Sequence, residues 1–188
     1  MTDWVLAVER AYVAAVGGPA VSAAPNMRAL AAAGAVASRY LAVGTPRSFS
    51  IIGDDPAAAL SAEAHRTWFA LPDIRCTNAA LAAALGGRVV TEAEALAADI
   101  VCIHTAMSLT GSQLRRGTHV NALAPITLDD DLKHIAQLYD EPRGLPALAA
   151  GLVDGRQLDE LTIFEAGDAS IAAACLATVI TRSTGSTG

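Results

Sequence analysis

Two histidines sit at the ends of short apolar runs. "ADIVCIHTA" leaves His104 at the close of one run, and "GTHVNALAP" sets His119 two residues before Asn121. Imidazole titrates near neutrality, so either ring suits proton transfer or hydrogen bonding to a small polar ligand. Alternate spacing on an extended chain points His119 and Asn121 to one side. Both histidines also have plain structural uses, His104 bonding a backbone carbonyl and His119 bracing a sheet core. Arg28 offers a planar fork for a carboxylate, or is a solvated arginine on an alanine-rich helix. A fourth feature is "FSIIGDDPAAAL", residues 49–60, which reads as a strand, a tight turn and a helix start. Such turns bind pyrophosphate when rich in glycine, because free N–H groups and the helix dipole face the anion. Here Gly53 is followed by Asp54, Asp55 and Pro56. Asp55 before Pro56 makes a cap and first-turn pair, so a built-in carboxylate is expected to satisfy those donors. A pyrophosphate would have to displace it and tolerate Asp54. One like-charge contact at about 4 Å costs roughly 1 kcal/mol in water and about 4 at an effective dielectric of 20.

Other polar groups are expected to serve the fold. Asp129–Asp131 could supply an acid but sits where a cap for the next helix belongs, and Asp168, beyond Glu165, has the same place before the last helix. His65 and His134 read as packing or surface residues. No histidine pair or Cys–His arrangement has metal-ligand spacing, so no metal is expected. The serines form no nucleophile elbow.

The elements that must position these residues alternate. Helical periodicity covers Asp3 to Val16, stopped by Gly17-Gly18-Pro19, and Asn26 is placed to cap a second helix over Met27–Val43. Strands are expected at Ser48–Ile52, Ile74–Thr77, Arg88–Val90, Asp99–His104 and Thr118–Leu123. The crossovers between them are Pro56–Phe69, Asn78–Leu85, Glu92–Ala97 and a loop over Thr105–Arg116. Later, "DDDLKHIAQLYD" reads as a short helix and a strand, Leu145–Val153 as helix, Leu161–Phe164 as extended and Asp168–Thr181 as a closing helix. Short β-branched runs between alanine-rich helices predict an α/β fold, a parallel sheet with helices on both faces in a single domain. The expected division is an N-terminal helix and connector over 1–25, an α/β domain over 26–182 and a disordered tail over 183–188.

The order of "MRALAAAGAVASRYLA", "FSIIGDDPAAALSAEAHRTWF", "ADIVCIHTA", "GTHVNALAP" and "LTIFEAGDASIAAACLA" resembles the ornithine cyclodeaminase/mu-crystallin family, from Met27 to the C-terminus. The resemblance implies a Rossmann-type NAD(P) domain. It also implies cyclodeaminase, imine or ketimine reductase, or amino-acid dehydrogenase chemistry. The family's substrate and dimerisation domain comes mainly from a long N-terminal half, and only the residues before Met27 stand in that place. On the family's pattern Arg28 contacts the substrate carboxylate, Thr105 follows the fourth strand, and His119 and Asn121 are the H-x-N of the fifth. Gly53 is the first glycine of G-x-G-x-Q, but Asp55 and Ala57 replace the second glycine and the glutamine. Asn78 replaces the acid that grips ribose. Ala29, Ala124 and Ala166 replace a threonine, a glycine and a serine, and the downstream acid/base aspartate is missing.

Composition narrows the classes further. With 53% apolar and 17% charged residues the chain builds a real core. A net charge of −6 without a basic run argues against nucleic acid. No signal peptide or membrane span is evident, and Cys76, Cys102 and Cys175 lack paired spacing, so a cytoplasmic protein with reduced thiols is expected. Three functions are compatible with these residues. The first is a repurposed small-molecule protein, a biosynthetic enzyme with acid–base chemistry at His104 or His119 and without the family's usual use of NAD(P). The second keeps NAD(P) and imine or amino-acid chemistry, with the missing half supplied by another chain. The third is a non-catalytic partner of a full-length relative. The apolar stripe Trp4, Val8, Tyr12 predicts a homodimer or pairing with a related chain.

Overall fold

A computed structural model describes residues 3–16, 26–141, 144–157, 159–167 and 169–184. Its centre is a parallel sheet of seven strands: β1 (Ser48–Ile52), β2 (Asp73–Cys76), β3 (Arg88–Val89), β4 (Ile100–Ile103), β6 (His119–Ala122), β8 (Ala136–Asp140) and β9 (Leu161–Glu165). They lie in the order β3-β2-β1-β4-β6-β9-β8. Phe49 is in register with Ile74 on one side and Ile100 on the other. The winding direction reverses between β1 and β4, and open α/β sheets bind ligands outside the carboxyl ends at such a point. The expected doubly covered parallel sheet is therefore observed. The five strands read from the sequence occur within a residue or so of their expected ends.

Alternation along the strands feeds two cores. Phe49, Ile51, Ile100, Cys102 and Phe164 face one helical layer, while Ile52, Val101, Ile103, Val120 and Ile163 face the other. The first layer is organised by α2 (Met27–Leu41), in which Ala29, Ala31, Ala32, Ala33, Ala35 and Ala37 are all fully buried. Alanine wins there because the helix is enclosed nearly all round: α1 (Asp3–Ala15), α3 (Ala57–His65), α7 (Gly144–Ala149) and α8 (Ser170–Thr184) pack on it, and it lies against β6. A Cβ on Gly34 would sit 3.3 Å from Leu123, which shows how closely helix and sheet approach. Asn26 caps α2 as expected, its Oδ1 accepting from the N–H of Arg28 at 2.8 Å.

Some expectations change. The segment expected as a loop over Thr105–Arg116 contains β5 (Met107–Leu109), which pairs in parallel with β7 (Ile126–Leu128) to make a separate two-stranded ladder. Two three-residue runs are too short for their alternation to stand out in the sequence. The helix expected over Leu145–Val153 ends at Ala149. The closing helix starts at Ser170 and runs through Thr184, past the expected start of a tail. Residues 185–188, the connector over 17–25 and Asp168 lie outside the described residues. The N-terminal stripe needs no second chain: Val8 and Tyr12 are fully buried under α2, α7 and α8, and Tyr12 donates to Glu141 at 3.0 Å. It therefore gives no argument for self-association. Among the described residues no helix is long and apolar enough to cross a membrane, and no group of three or more His, Cys, Asp or Glu could hold a metal ion.

Candidate functional site

At the reversal point, Gly53 leaves β1 with φ of 109°, a left-handed conformation that suits glycine. A Cβ there would lie 3.1 Å from the carbonyl carbon of His104. The Gly53→Ala variant is expected to lose about 2 kcal/mol or more, through both the positive φ and this close approach. In a chain of this size that lowers the thermal midpoint by roughly 5 °C or more, read by calorimetry.

The turn then delivers its acid. The Asp55 carboxylate accepts the N–H of Ala57 at 2.6 Å, and its backbone carbonyl accepts that of Ala58 at 2.8 Å. Pro56, with φ of −54°, stands just before α3, and the Asp55 carboxylate holds the N–H of the helix's first residue from within. Asp54 beside it is exposed. Across the crevice Thr77 accepts the N–H of Gly53 at 3.1 Å. Asn78 is engaged in capping α4 (Ala79–Leu85), accepting from Leu81 N–H at 2.9 Å.

His104 follows β4 at this edge and is 8% exposed. Its Nε2 lies 2.9 Å from Ser61 Oγ on α3. Burial pushes its pKa down to about 4, against a smaller upward pull from Asp55. At neutral pH the ring is uncharged, so it can accept a proton or share one hydrogen bond but does not present a cation. Thr105, next in the chain, is exposed. Arg28 is exposed on the first turn of α2. That helix runs against the strands: Leu41 meets Thr162 at the start of β9, while Gly34 meets Leu123 beyond the end of β6. Its first turn, and Arg28 with it, therefore projects at the same carboxyl edge as His104. A cleft of about 300 Å³ opens there between the ends of β6 and β9, lined by Leu123, Ala124, Pro125, Glu165 and Gly167 among others.

His119 and Asn121 are placed differently. His119 opens β6 opposite Ile100, whereas His104 follows Ile103, four residues further along, or about 13 Å in strand length. The two candidate histidines are not brought together. Both His119 and Asn121 are fully buried, with His119 Nε2 3.1 Å from Asn121 Oδ1 and its Nδ1 2.8 Å from Thr162 Oγ1. Burial lowers the pKa of His119 to about 3. Their side chains do share one side of the strand, but that side faces α2 and not solvent. Asp129 caps α6 (Asp130–Ile135) through the N–H of Leu132 at 2.7 Å, and His134 is an exposed residue of that helix.

The sequence reading missed a buried set on α2 and α3. Ser38, Ser61 and His65 are all fully buried. Ser38 Oγ bridges His65 Nε2 and Asn121 Nδ2 at 2.8 Å each, and His65 Nδ1 lies 2.7 Å from the carbonyl of Ser61. Burial takes His65 down to about 4 and the neighbouring Cys102 thiol up to about 12, so that thiol stays protonated and unreactive. On α3 alanine occupies most faces, so no phase marks Ser61 and His65 as core positions in the sequence.

Solved structures with this architecture settle its class. An archaeal alanine dehydrogenase dimer with bound NAD superposes with a TM-score of 0.72 at 22% identity, over 83% of this chain and 63% of that one. The fold is Rossmann-like. The Thermococcus litoralis Δ1-pyrroline-2-carboxylate reductase in complex with NADH and L-proline matches at 0.65 and 19%, over 84% of this chain and 64% of that one. A probable ornithine cyclodeaminase from Bordetella pertussis matches at 0.67 and 21%, over 83% and 66%. The chain thus spans less than two thirds of each of these proteins. No protein-family model and no curated protein matches it.

Proposed function

We propose that this chain is a small-molecule protein of the Rossmann-like class whose pyrophosphate position is occupied by its own carboxylate. The observation that carries the reading is the Asp55 carboxylate on the N–H of Ala57 at the head of the first crossover, at 2.6 Å. NAD(P) would bring a second anion to a helix head whose Ala57 and Ala58 N–H groups are already bonded to Asp55, beside Asp54 and without the close approach that a second glycine permits. If the dinucleotide were held, Gly53 and the first turn of α3 would carry its phosphates and Asn78 would face its ribose. Among the described residues nothing at that edge replaces those contacts, so these residues fit the cofactor poorly.

What the edge retains suits a small carboxylate. Arg28 can pair with it, Thr105 can donate to it, and His104 is a neutral, partly screened imidazole able to take a proton from a bound acid or amine. His119 and Asn121 are buried against α2 and are not part of that edge. Chemical-shift mapping with small amino and keto acids tests this assignment. Without any nucleotide, saturable shifts are expected at Arg28, His104 and Thr105, and they should vanish in Arg28→Ala. Shifts that arise only when NADH is present would instead favour an NAD(P)-dependent imine or amino-acid enzyme, the reading that the NAD-bound solved structures support.

A further inference from the structure

The buried polar side chains beneath the sheet form one unbroken line from Leu41 to Ser61, and counting donors fixes its direction. At one end, the Ser61 carbonyl can only accept, so His65 Nδ1 at 2.7 Å carries a proton. In a neutral ring Nε2 is then bare, and Ser38 Oγ at 2.8 Å must donate to it. Ser38 in turn accepts from Asn121 Nδ2, which leaves Asn121 Oδ1 facing His119 Nε2 at 3.1 Å. That nitrogen must therefore be the protonated one, His119 Nδ1 is bare, and the Thr162 hydroxyl donates to it at 2.8 Å. In this pattern the single Thr162 proton goes to His119, so the bond it can make to the Leu41 carbonyl at 2.9 Å is given up and that carbonyl keeps Arg156 Nη1 at 3.1 Å. Both rings are then neutral and in opposite tautomers, and the one contact left without a proton is that between the Thr162 and Leu41 oxygens.

A second pattern exists. If His65 Nε2 also gains a proton, it donates to Ser38, Ser38 donates to Asn121 Oδ1 after a half-turn of the amide, and Asn121 Nδ2 donates to His119 Nε2. His119 Nδ1–H then donates to Thr162, whose hydroxyl turns to Leu41. We propose that this line is a two-state proton-linked relay, in which one proton taken up at His65 reverses every hydrogen bond from Ser38 to Leu41 and switches the tautomer of His119. The only net change is one proton, from solvent, bound at His65.

The titratable groups facing His65 are Cys102, whose Sγ lies 3.9 Å from Nε2, His104 beyond Ser61, and His119 beyond Asn121. The rings of Phe49 and Phe69 pack on its remaining faces, at centroid distances of 4.8 and 6.4 Å. His104 opposes a second positive charge at His65, so the relay and the ligand edge compete for a proton.

Long-range proton–nitrogen correlation spectra of histidine-labelled protein read both tautomers directly. At pH 7 His65 is expected as the Nδ1–H form and His119 as the Nε2–H form. With His65 titrating near 4, about a tenth of folded molecules carry its second proton at pH 5, and the same fraction of His119 should then be Nδ1–H. Thr162→Val removes the acceptor that the reversed line needs while Arg156 still serves Leu41. It is expected to hold His119 as Nε2–H throughout and to shift the titration of His65 to lower pH. His119 as Nδ1–H at pH 7 would overturn the relay, as would proton uptake at His65 with His119 unchanged. Unaltered titration of His65 in Thr162→Val would do the same. If that variant does not fold, the two wild-type readings decide alone.

Discussion

On acidification the protein is expected to unfold cooperatively between about pH 5.5 and 4, beginning above the range where ordinary surface carboxylates protonate. Three imidazoles drive this. His65, His104 and His119 are held neutral by burial, with pKa values of about 4, 4 and 3 in place of 6.5. Their folded values lie below the unfolded one, so the stability linked to them is complete above pH 6.5. It falls as the unfolded chain takes up protons that the native core refuses, and it is lost as pH drops through the folded values. Each ring contributes about 1.4 kcal/mol per pH unit across that window, or roughly 3 kcal/mol in all. Three such terms rival the whole stability of a domain, about 5–15 kcal/mol, so the fold gives way before the rings are fully protonated in place, while molecules still folded near pH 5 take up the first proton at His65. Asp73 and Asp99, held below the usual carboxylate range by Arg75, Arg88 and backbone N–H groups, add to the loss at lower pH. Glu141 acts the other way, since burial raises its pKa and protonation favours the native state, but it is one group against several. Circular dichroism with potentiometric proton counting checks the expectation: uptake should approach three protons from histidine across the transition. A fold that persists at pH 4 with no excess uptake would show that these rings accept charge where they stand.

The second large effect is expected at the head of α3. Asp55→Gly removes the carboxylate that holds the N–H of Ala57 and restores a glycine where a phosphate would approach. Removing one like charge is worth about 1 kcal/mol with full solvent screening and about 4 in a partly screened crevice. NADH affinity should therefore rise at least fivefold, and by two orders of magnitude or more if the crevice excludes water. Glycine is itself an acceptable cap, costing a few tenths of a kcal/mol, so the variant should fold normally. Asp55→Asn separates the two contributions, because the amide oxygen can still cap while the charge is gone. An affinity in Asp55→Asn close to that of Asp55→Gly would assign the block to charge, and one close to the parent would assign it to the occupied donors.

How far the sequence reveals all this depends on the range of the contacts. The sheet was legible because β1, β4 and β6 are short, buried, β-branched runs, each bounded by turn residues, and a parallel sheet covered on both faces requires that pattern. The cap at Asp55 was legible because capping is local: an acid, a proline and a helical run lie within four residues. His119 was harder. Its partners Thr162 and Asn121 are 43 and 2 positions away, and only the packing of β9 against β6 decides that its ring faces α2 rather than a ligand. His65 was left open between packing and surface, and Ser38 was not singled out, because a histidine and a serine on alanine-rich helices gain their partners only when α2 and α3 are packed against the sheet. The fate of the N-terminal stripe likewise rests on contacts with α7 and α8, more than a hundred residues later in the chain.

NADH titration of the parent protein beside Asp55→Gly, followed through energy transfer from Trp68, tests the central claim most directly. The account predicts no saturation of the parent below millimolar nucleotide and clear saturation of the variant. Micromolar binding by the parent, with the diphosphate seated against residues 53–57 and Asp55 turned away from Ala57, would contradict it.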